Sequence, residues 1–157
     1  QFVKDIALYT SSAPTYFPSA NGFIDGGVFA NNPSMVALAQ AVSSCNIPSE
    51  CADIEDIVLL SVGTGVNLSY IKRKNVDWGY AQWAKPLVDI MMEGGMGISD
   101  YQVNQLIGDR YHRLQVIFEP DETIPMDSVK KIPRMDEIGR NHDISPAKEW
   151  IEQYWMG

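Results

Sequence analysis

The chain has 157 residues, enough for one domain-sized core, and 45 % hydrophobic with 10 % aromatic residues excludes a disordered chain. Twenty acidic residues against twelve basic ones give a formal charge of −8, which argues against a nucleic-acid partner, because phosphate contacts need clustered Lys and Arg. No apolar run approaches the roughly 18 residues of a membrane span and no secretory pattern opens the chain, so it reads as soluble; any peripheral membrane contact has to rest on apolar burial.

In chain order, Gln1 to Ser11 predicts an amphipathic helix that stops before Pro14, since the residue preceding a proline is pushed out of the helical region. Ala13-Pro14-Thr15-Tyr16-Phe17-Pro18 sets two prolines around two aromatics and predicts a rigid, partly buried connection, and Asn21-Gly22 supplies a turn. Phe23-Ile24 then reads as a very short strand ending in Asp25-Gly26-Gly27. Asn32 as N-cap and Pro33 at the first helical position start a helix to about Ser44, with Met35, Val36, Leu38, Ala39 and Val42 as its apolar face.

Cys45 and Cys51 bracket a proline-containing loop, and two thiols alone fix neither a disulfide nor a redox compartment. Ile57 to Val62 is a continuous apolar run closed by Gly63-Thr64-Gly65, the pattern of a strand buried on both faces of a parallel sheet, and it is the main sign of an α/β architecture. Lys72-Arg73-Lys74 reads as a solvated loop. From Trp78 to about Gly108 the apolar residues recur at helical spacing, and Pro86 with Gly94-Gly95-Met96-Gly97 predicts a kink or a division. Arg113 to Phe118 predicts another strand, stopped by Pro120, and the remainder predicts short helices and loops covering the sheet.

No repeat or linker interrupts the chain, so a single domain is expected. Gln1 heads straight into an apolar helical pattern, and the chain is therefore read as a fragment.

The informative chemistry is Phe23-Ile24-Asp25-Gly26-Gly27-Val28-Phe29-Ala30-Asn31-Asn32-Pro33. A carboxylate at the C-terminal end of a strand sits where α/β sheets place their ligands, and glycines after it permit positive φ and close approach of a substrate or another backbone. On these grounds alone Asp25 is a base, a metal ligand or a turn residue whose side chain binds nearby amides; for an isolated Asp-Gly-Gly the turn is the commoner case. Zinc chemistry lacks support, since no CxxC or HExxH spacing occurs and the histidines are His112 and His142.

With its neighbours, however, the motif resembles the patatin-like phospholipase family. Ser11-Ser12-Ala13-Pro14-Thr15-Tyr16-Phe17-Pro18 looks like the stretch upstream of that family's second catalytic residue. Asp25-Gly26-Gly27 with Asn31-Asn32-Pro33 looks like its Asp-Gly-Gly/Ala motif and the helix start after it, and Leu60-Ser61-Val62-Gly63-Thr64-Gly65 like its next core strand and glycine turn. These match in order and spacing over about the first 65 residues; beyond them the resemblance rests on the Trp78, Trp83 and Pro86 region.

The resemblance implies a three-layer α/β/α fold with a mostly parallel central sheet and a Ser-Asp dyad that hydrolyses fatty-acyl esters of lipids without histidine, metal or other cofactor. Asp25 would be the base and Gly26 and Gly27 the motif supporting it. The departure is equally plain: no serine has glycines at both minus two and plus two, Ser61 having Leu59 and Gly63, and Ser99 having Gly97 and Tyr101. The nucleophile and the glycine-rich oxyanion loop are therefore expected upstream of Gln1, in the N-terminal part of the same protein, which would be this chain's partner; alone the chain is expected to be inactive. The competing reading is a non-catalytic lipid- or protein-binding module of the same fold.

Gly63-Thr64-Gly65 reads as a strand-end turn, lacking the spacing and Lys-Ser/Thr of a P-loop. The Met91-Met92-Glu93-Gly94-Gly95-Met96 region reads as core in preference to an acyl-chain channel.

Overall fold

The computed structural model describes residues 2–43, 52–66, 77–119, 122 and 124–157. Cys45, Cys51, the Lys72-Arg73-Lys74 stretch and Pro120 lie outside the described residues. The chain divides into two compact units, Gln1–Pro33 with Tyr70–Ser99, and Ser34–Ser69 with Asp100–Gly157.

In the first unit, helix α1 (Val3–Thr10) ends where two serines turn their hydroxyls back on it. Ser11 Oγ donates to the Ala7 carbonyl at 2.9 Å and Ser12 Oγ to the Leu8 carbonyl at 2.8 Å, satisfying acceptors that a helix end otherwise leaves open. Asn21 and Gly22 both take positive φ, 51° and 83°. Ala20 and Phe23 then exchange both backbone hydrogen bonds, at 3.0 and 2.9 Å, the closure of a two-residue hairpin loop. Phe23-Ile24 is thus not a strand, as the sequence suggested; Phe23 forms one rung of an isolated antiparallel bridge with Ala20, and Ile24 lies outside it. The Phe23 ring stacks on Tyr9 at 4.5 Å, folding this turn against α1. A single helical turn, α2 (Gly27–Ala30), follows Asp25.

Helix α4 (Tyr80–Ile107) runs unbroken through Pro86 and the glycine cluster, so the expected division does not occur. A Cβ on Gly94, Gly95 or Gly97 would meet nothing within 4 Å; these glycines weaken the helix without serving a close contact. Its residues to Ser99 belong to the first unit, where Trp78 and Trp83 pack edge to face at 5.0 Å near its start.

The second unit contains α3 (Ser34–Ser43), β1 (Leu59–Val62), the end of α4, β2 (Tyr111–Leu114), α5 (Ile132–Asn141) and α6 (Ser145–Tyr154). β1 and β2 pair in parallel, Leu59 opposite Tyr111 and Val62 opposite Leu114, and a parallel bridge joins Val66 to Ile117. Parallel neighbours need a crossover, which α4 provides. Side chains alternate across the sheet. Leu59 and Tyr111 face a core with Leu38, Val103 and Ile107. His112 on the other face stacks on Trp150 of α6 at 5.5 Å, and Trp150 Nε1 donates to the Asp109 carbonyl at 2.7 Å. Helices thus cover both faces of a parallel sheet, the α/β architecture expected from the sequence.

Two expectations need correction. β1 is not buried on both faces: Val62 is 66 % exposed, and among the described residues β2 is the sole strand partner of β1. The second strand also starts two residues earlier than the apolar run indicated, since Tyr111 is a core residue whose hydroxyl donates to Asp100 Oδ1 at 2.7 Å.

Asp143 Oδ1 accepts the Ser145 N–H at 2.9 Å at the start of α6. That backbone hydrogen bond, reinforced by the Ser145 side chain, holds the Asp143 carboxyl below its ordinary value. A lowered folded-state pKa stabilises above the unfolded value and is lost as pH falls through the folded one. The wild type is therefore expected to melt above Asp143→Asn near neutral pH, and the difference measured in thermal melts is expected to shrink as the pH is lowered through the folded-state value.

Candidate active site

Asp25 is half-buried between the Ala20–Phe23 bridge and α2. Its N–H donates to the Ser12 carbonyl at 3.0 Å, tying it to a step in which Ser12 and Ala13 are 3 % and 0 % exposed. Its Oδ1 accepts the Gly27 N–H at 2.6 Å, and its carbonyl accepts the Val28 N–H at 3.3 Å. One carboxylate oxygen is therefore spent on orientation, in the manner of an Asx turn. Oδ2 has no hydrogen-bond partner among the described residues and can accept a proton.

The two glycines act differently from expectation. Gly26 has φ −62° and Gly27 is not among the positive-φ residues, so neither is required for backbone conformation. Close approach is the reason at Gly27: a Cβ there would lie 3.0 Å from Asp25 Oδ1, 3.1 Å from Asn31 Oδ1 and 3.1 Å from the Met92 methyl. At Gly26 it would meet Thr10 Oγ1 at an ordinary 3.5 Å. Gly27→Ala is accordingly expected to displace the Asp25 carboxylate by a few tenths of an ångström. The ¹³C resonance of the Asp25 carboxylate should shift while the melting temperature stays nearly unchanged, a split that paired NMR and melting measurements check.

Asn31 and Asn32 carry a role the sequence reading did not assign them. Asn31 Nδ2 donates to the Met92 carbonyl at 3.0 Å and Asn32 Nδ2 to the Met96 carbonyl at 3.2 Å, gripping α4 one helical turn apart. Asn32 is fully buried and Met92 nearly so, at 6 %. The segment after α2 is thereby fixed, and Gly27 with it. The available signal was the adjacent amides themselves, placed directly after an apolar helical turn; α3 begins after them, at Ser34. Met92 packs as core, whereas Met91 is 48 % exposed.

Both histidines belong to the second unit, His112 within β2 and His142 after α5. Ser61 lies inside β1 and Ser99 inside α4, so neither stands on the strand-to-helix turn a nucleophilic serine needs. Among the described residues no group of three or more His, Cys, Asp and Glu could hold a metal ion, and no helix is long and apolar enough to cross a membrane.

No family model matches the chain, and no solved structure does. Its curated relatives include patatin-like proteins. Patatin-like protein 1 of Oryza sativa subsp. indica is 32 % identical over 127 residues, covering 62 % of this chain and 31 % of its own length. The cGAMP-activated phospholipase of Pseudomonas aeruginosa (strain BWHPSA011 / Pa011) is 27 % identical over 141 residues, covering 87 % and 39 %. CotR of Bacillus subtilis (strain 168), a sporulation hydrolase by name, is 29 % identical over 182 residues, covering 98 % and 53 %. The chain spans about a third to a half of the length of these relatives.

Proposed function

Because this chain is related to the patatin-like proteins, we propose that it supplies the catalytic base of a lipid acyl hydrolase, with Asp25 as that base and a serine outside these 157 residues as the nucleophile. The observation that carries the reading is the split use of the carboxylate: Oδ1 is held by Gly27 N–H at 2.6 Å and Oδ2 is left open among the described residues. That is the arrangement a general base needs, one oxygen fixing the geometry and the other receiving the proton.

In the proposed reaction the serine hydroxyl attacks the ester carbonyl as its proton passes to Asp25 Oδ2. Collapse of the tetrahedral intermediate expels the alcohol, which takes that proton, and an acyl-serine remains. Water then attacks the acyl-serine, giving its proton to Oδ2; the proton returns to the serine as the fatty acid leaves. No histidine is required. Residues 1–157 stand in this reading as the C-terminal portion of one patatin-like domain, with the N-terminal portion as their partner.

A second reading, a binding module without catalysis, is favoured by the same hydrogen bond, since a carboxylate capping the turn at Gly27 serves the fold whether or not a serine faces it. Fatty-acid release from a short-chain ester and from phospholipid vesicles separates the two, measured for this chain alone and for a polypeptide extended upstream. Hydrolysis by the extended protein and none by the chain alone supports the dyad. Inactivity of both, with both folded, supports the binding module.

A further inference from the structure

We propose that Arg113 forms a small-oxyanion subsite, for carboxylate or phosphate, at the carboxyl-terminal edge of the β1–β2 sheet. The proposal stands on the second unit alone and does not depend on the assignment of Asp25.

Arg113 lies opposite Ser61 in the parallel register, so both side chains share one face of the sheet. Its Nη1 donates to Ser61 Oγ at 2.6 Å and its Nη2 to Gln115 Oε1 at 3.1 Å. Ser61 Oγ is also bonded to Ser34 Oγ at 2.8 Å, and these two serines are 8 % and 4 % exposed. The guanidinium is half-buried and held by neutral acceptors; no carboxylate pairs with it among the described residues. A guanidinium drawn partly out of water is ordinarily neutralised, and five donors in a rigid fork fit a planar carboxylate or a phosphate. Two of the five are used here.

The end of β1 is shaped around this guanidinium. A Cβ on Gly63 would run into the Gln115 carboxamide and lie 2.8 Å from Arg113 Nη2, so a residue without a side chain lets the guanidinium lie against the strand end. Gly63 N–H bonds to the Leu114 carbonyl and Val66 N–H to the Val116 carbonyl, each at 2.9 Å, whereas the N–H groups of Thr64 and Gly65 between them have no partner among the described residues. A fixed cation and, among the described residues, two unpaired amides in the segment directly after β1 thus lie at the carboxyl-terminal end of that strand, the side on which parallel α/β sheets bind ligands. A purely structural role, clamping β1 to β2, is met by the two existing hydrogen bonds and leaves three donors unused among the described residues.

The test is a titration of the ¹⁵N-labelled chain with inorganic phosphate, glycerophosphocholine and hexanoate, following the Arg113 side-chain resonance and the Thr64 and Gly65 amides. Saturable shifts of all three reporters are expected with at least one anion. Arg113→Gln is expected to weaken that binding at least ~10-fold, and Arg113→Lys less, because it keeps the charge without the fork. Strongest binding of glycerophosphocholine assigns the subsite to a lipid headgroup phosphate, of hexanoate to an acyl carboxylate, and of inorganic phosphate to the free ion. No saturable shift with any of them, or equal shifts in a folded Arg113→Gln, overturns the proposal. Should that variant fail to fold, the wild-type titration decides by itself.

Discussion

Asp25→Asn is expected to lower kcat/KM for ester hydrolysis at least ~100-fold in a polypeptide that joins this chain to its nucleophile, the usual size of a general-base contribution. The substitution isolates chemistry from structure. An asparagine can still present Oδ1 to the Gly27 N–H, now 2.6 Å away, so the turn into α2 keeps its cap. The Ser12 carbonyl still receives the residue-25 N–H, which is backbone and unaffected. What disappears is the basicity at Oδ2. Asp25→Ala removes the cap as well and is expected to lower stability where Asp25→Asn does not. A drop in rate with an unchanged melting temperature in Asp25→Asn therefore separates the base from the turn residue.

Leu38→Ala is expected to cost about 2–5 kcal/mol in urea denaturation, the largest loss of stability from any single truncation considered. Leu38 is 2 % exposed and lies in the core cluster with Val103, Ile107 and Tyr111, with Met35, Ile57 and Leu59 packed around it. Its removal leaves a void among elements far apart in the chain, and the partners cannot collapse into it without breaking the β1–β2 register. Against a typical stability of 5–15 kcal/mol this loss is severe, and a shifted midpoint with an unchanged denaturant slope is the expected signature. A loss below about 1 kcal/mol would mean that the core is not closed around Leu38.

What was legible in the sequence follows the strength of each local signal. α3 and β1 coincide with the helical period from Met35 to Val42 and the continuous apolar run from Ile57 to Val62, which marked the elements although Val36, Val42 and Val62 stay exposed. The parallel pairing was legible too, from a buried run closed by Gly63-Thr64-Gly65. Phe23-Ile24 misled because two apolar residues carry no period; the Asn21-Gly22 turn already fixed Phe23 in a tight hairpin rung. α4 misled in the opposite direction, since glycines and a proline lower helix propensity by amounts that the rest of a 28-residue helix absorbs.

At the candidate site, Asp25 and its glycines were legible as a motif, but the reason for Gly27 was not, because crowding by Asn31 and Met92 is a tertiary fact. The grip of Asn31 and Asn32 on carbonyls more than sixty residues away was likewise beyond any local pattern. Arg113 gave no sign at all: on a strand of alternating residues it reads as an ordinary exposed cation, and only the register with Ser61 shows it drawn in.

The central claim, that Asp25 activates a serine supplied from outside this chain, is tested most directly by labelling. The extended polypeptide would be treated with a fluorophosphonate, which reacts with an activated serine and leaves it covalently phosphonylated, and the second-order rate compared between wild type and Asp25→Asn. One labelled serine upstream of residue 1, with the rate reduced ~100-fold in the variant, is the result the account predicts. Equal rates in the two proteins, or no labelling of a folded wild type, would contradict it and leave Asp25 as the cap of a turn.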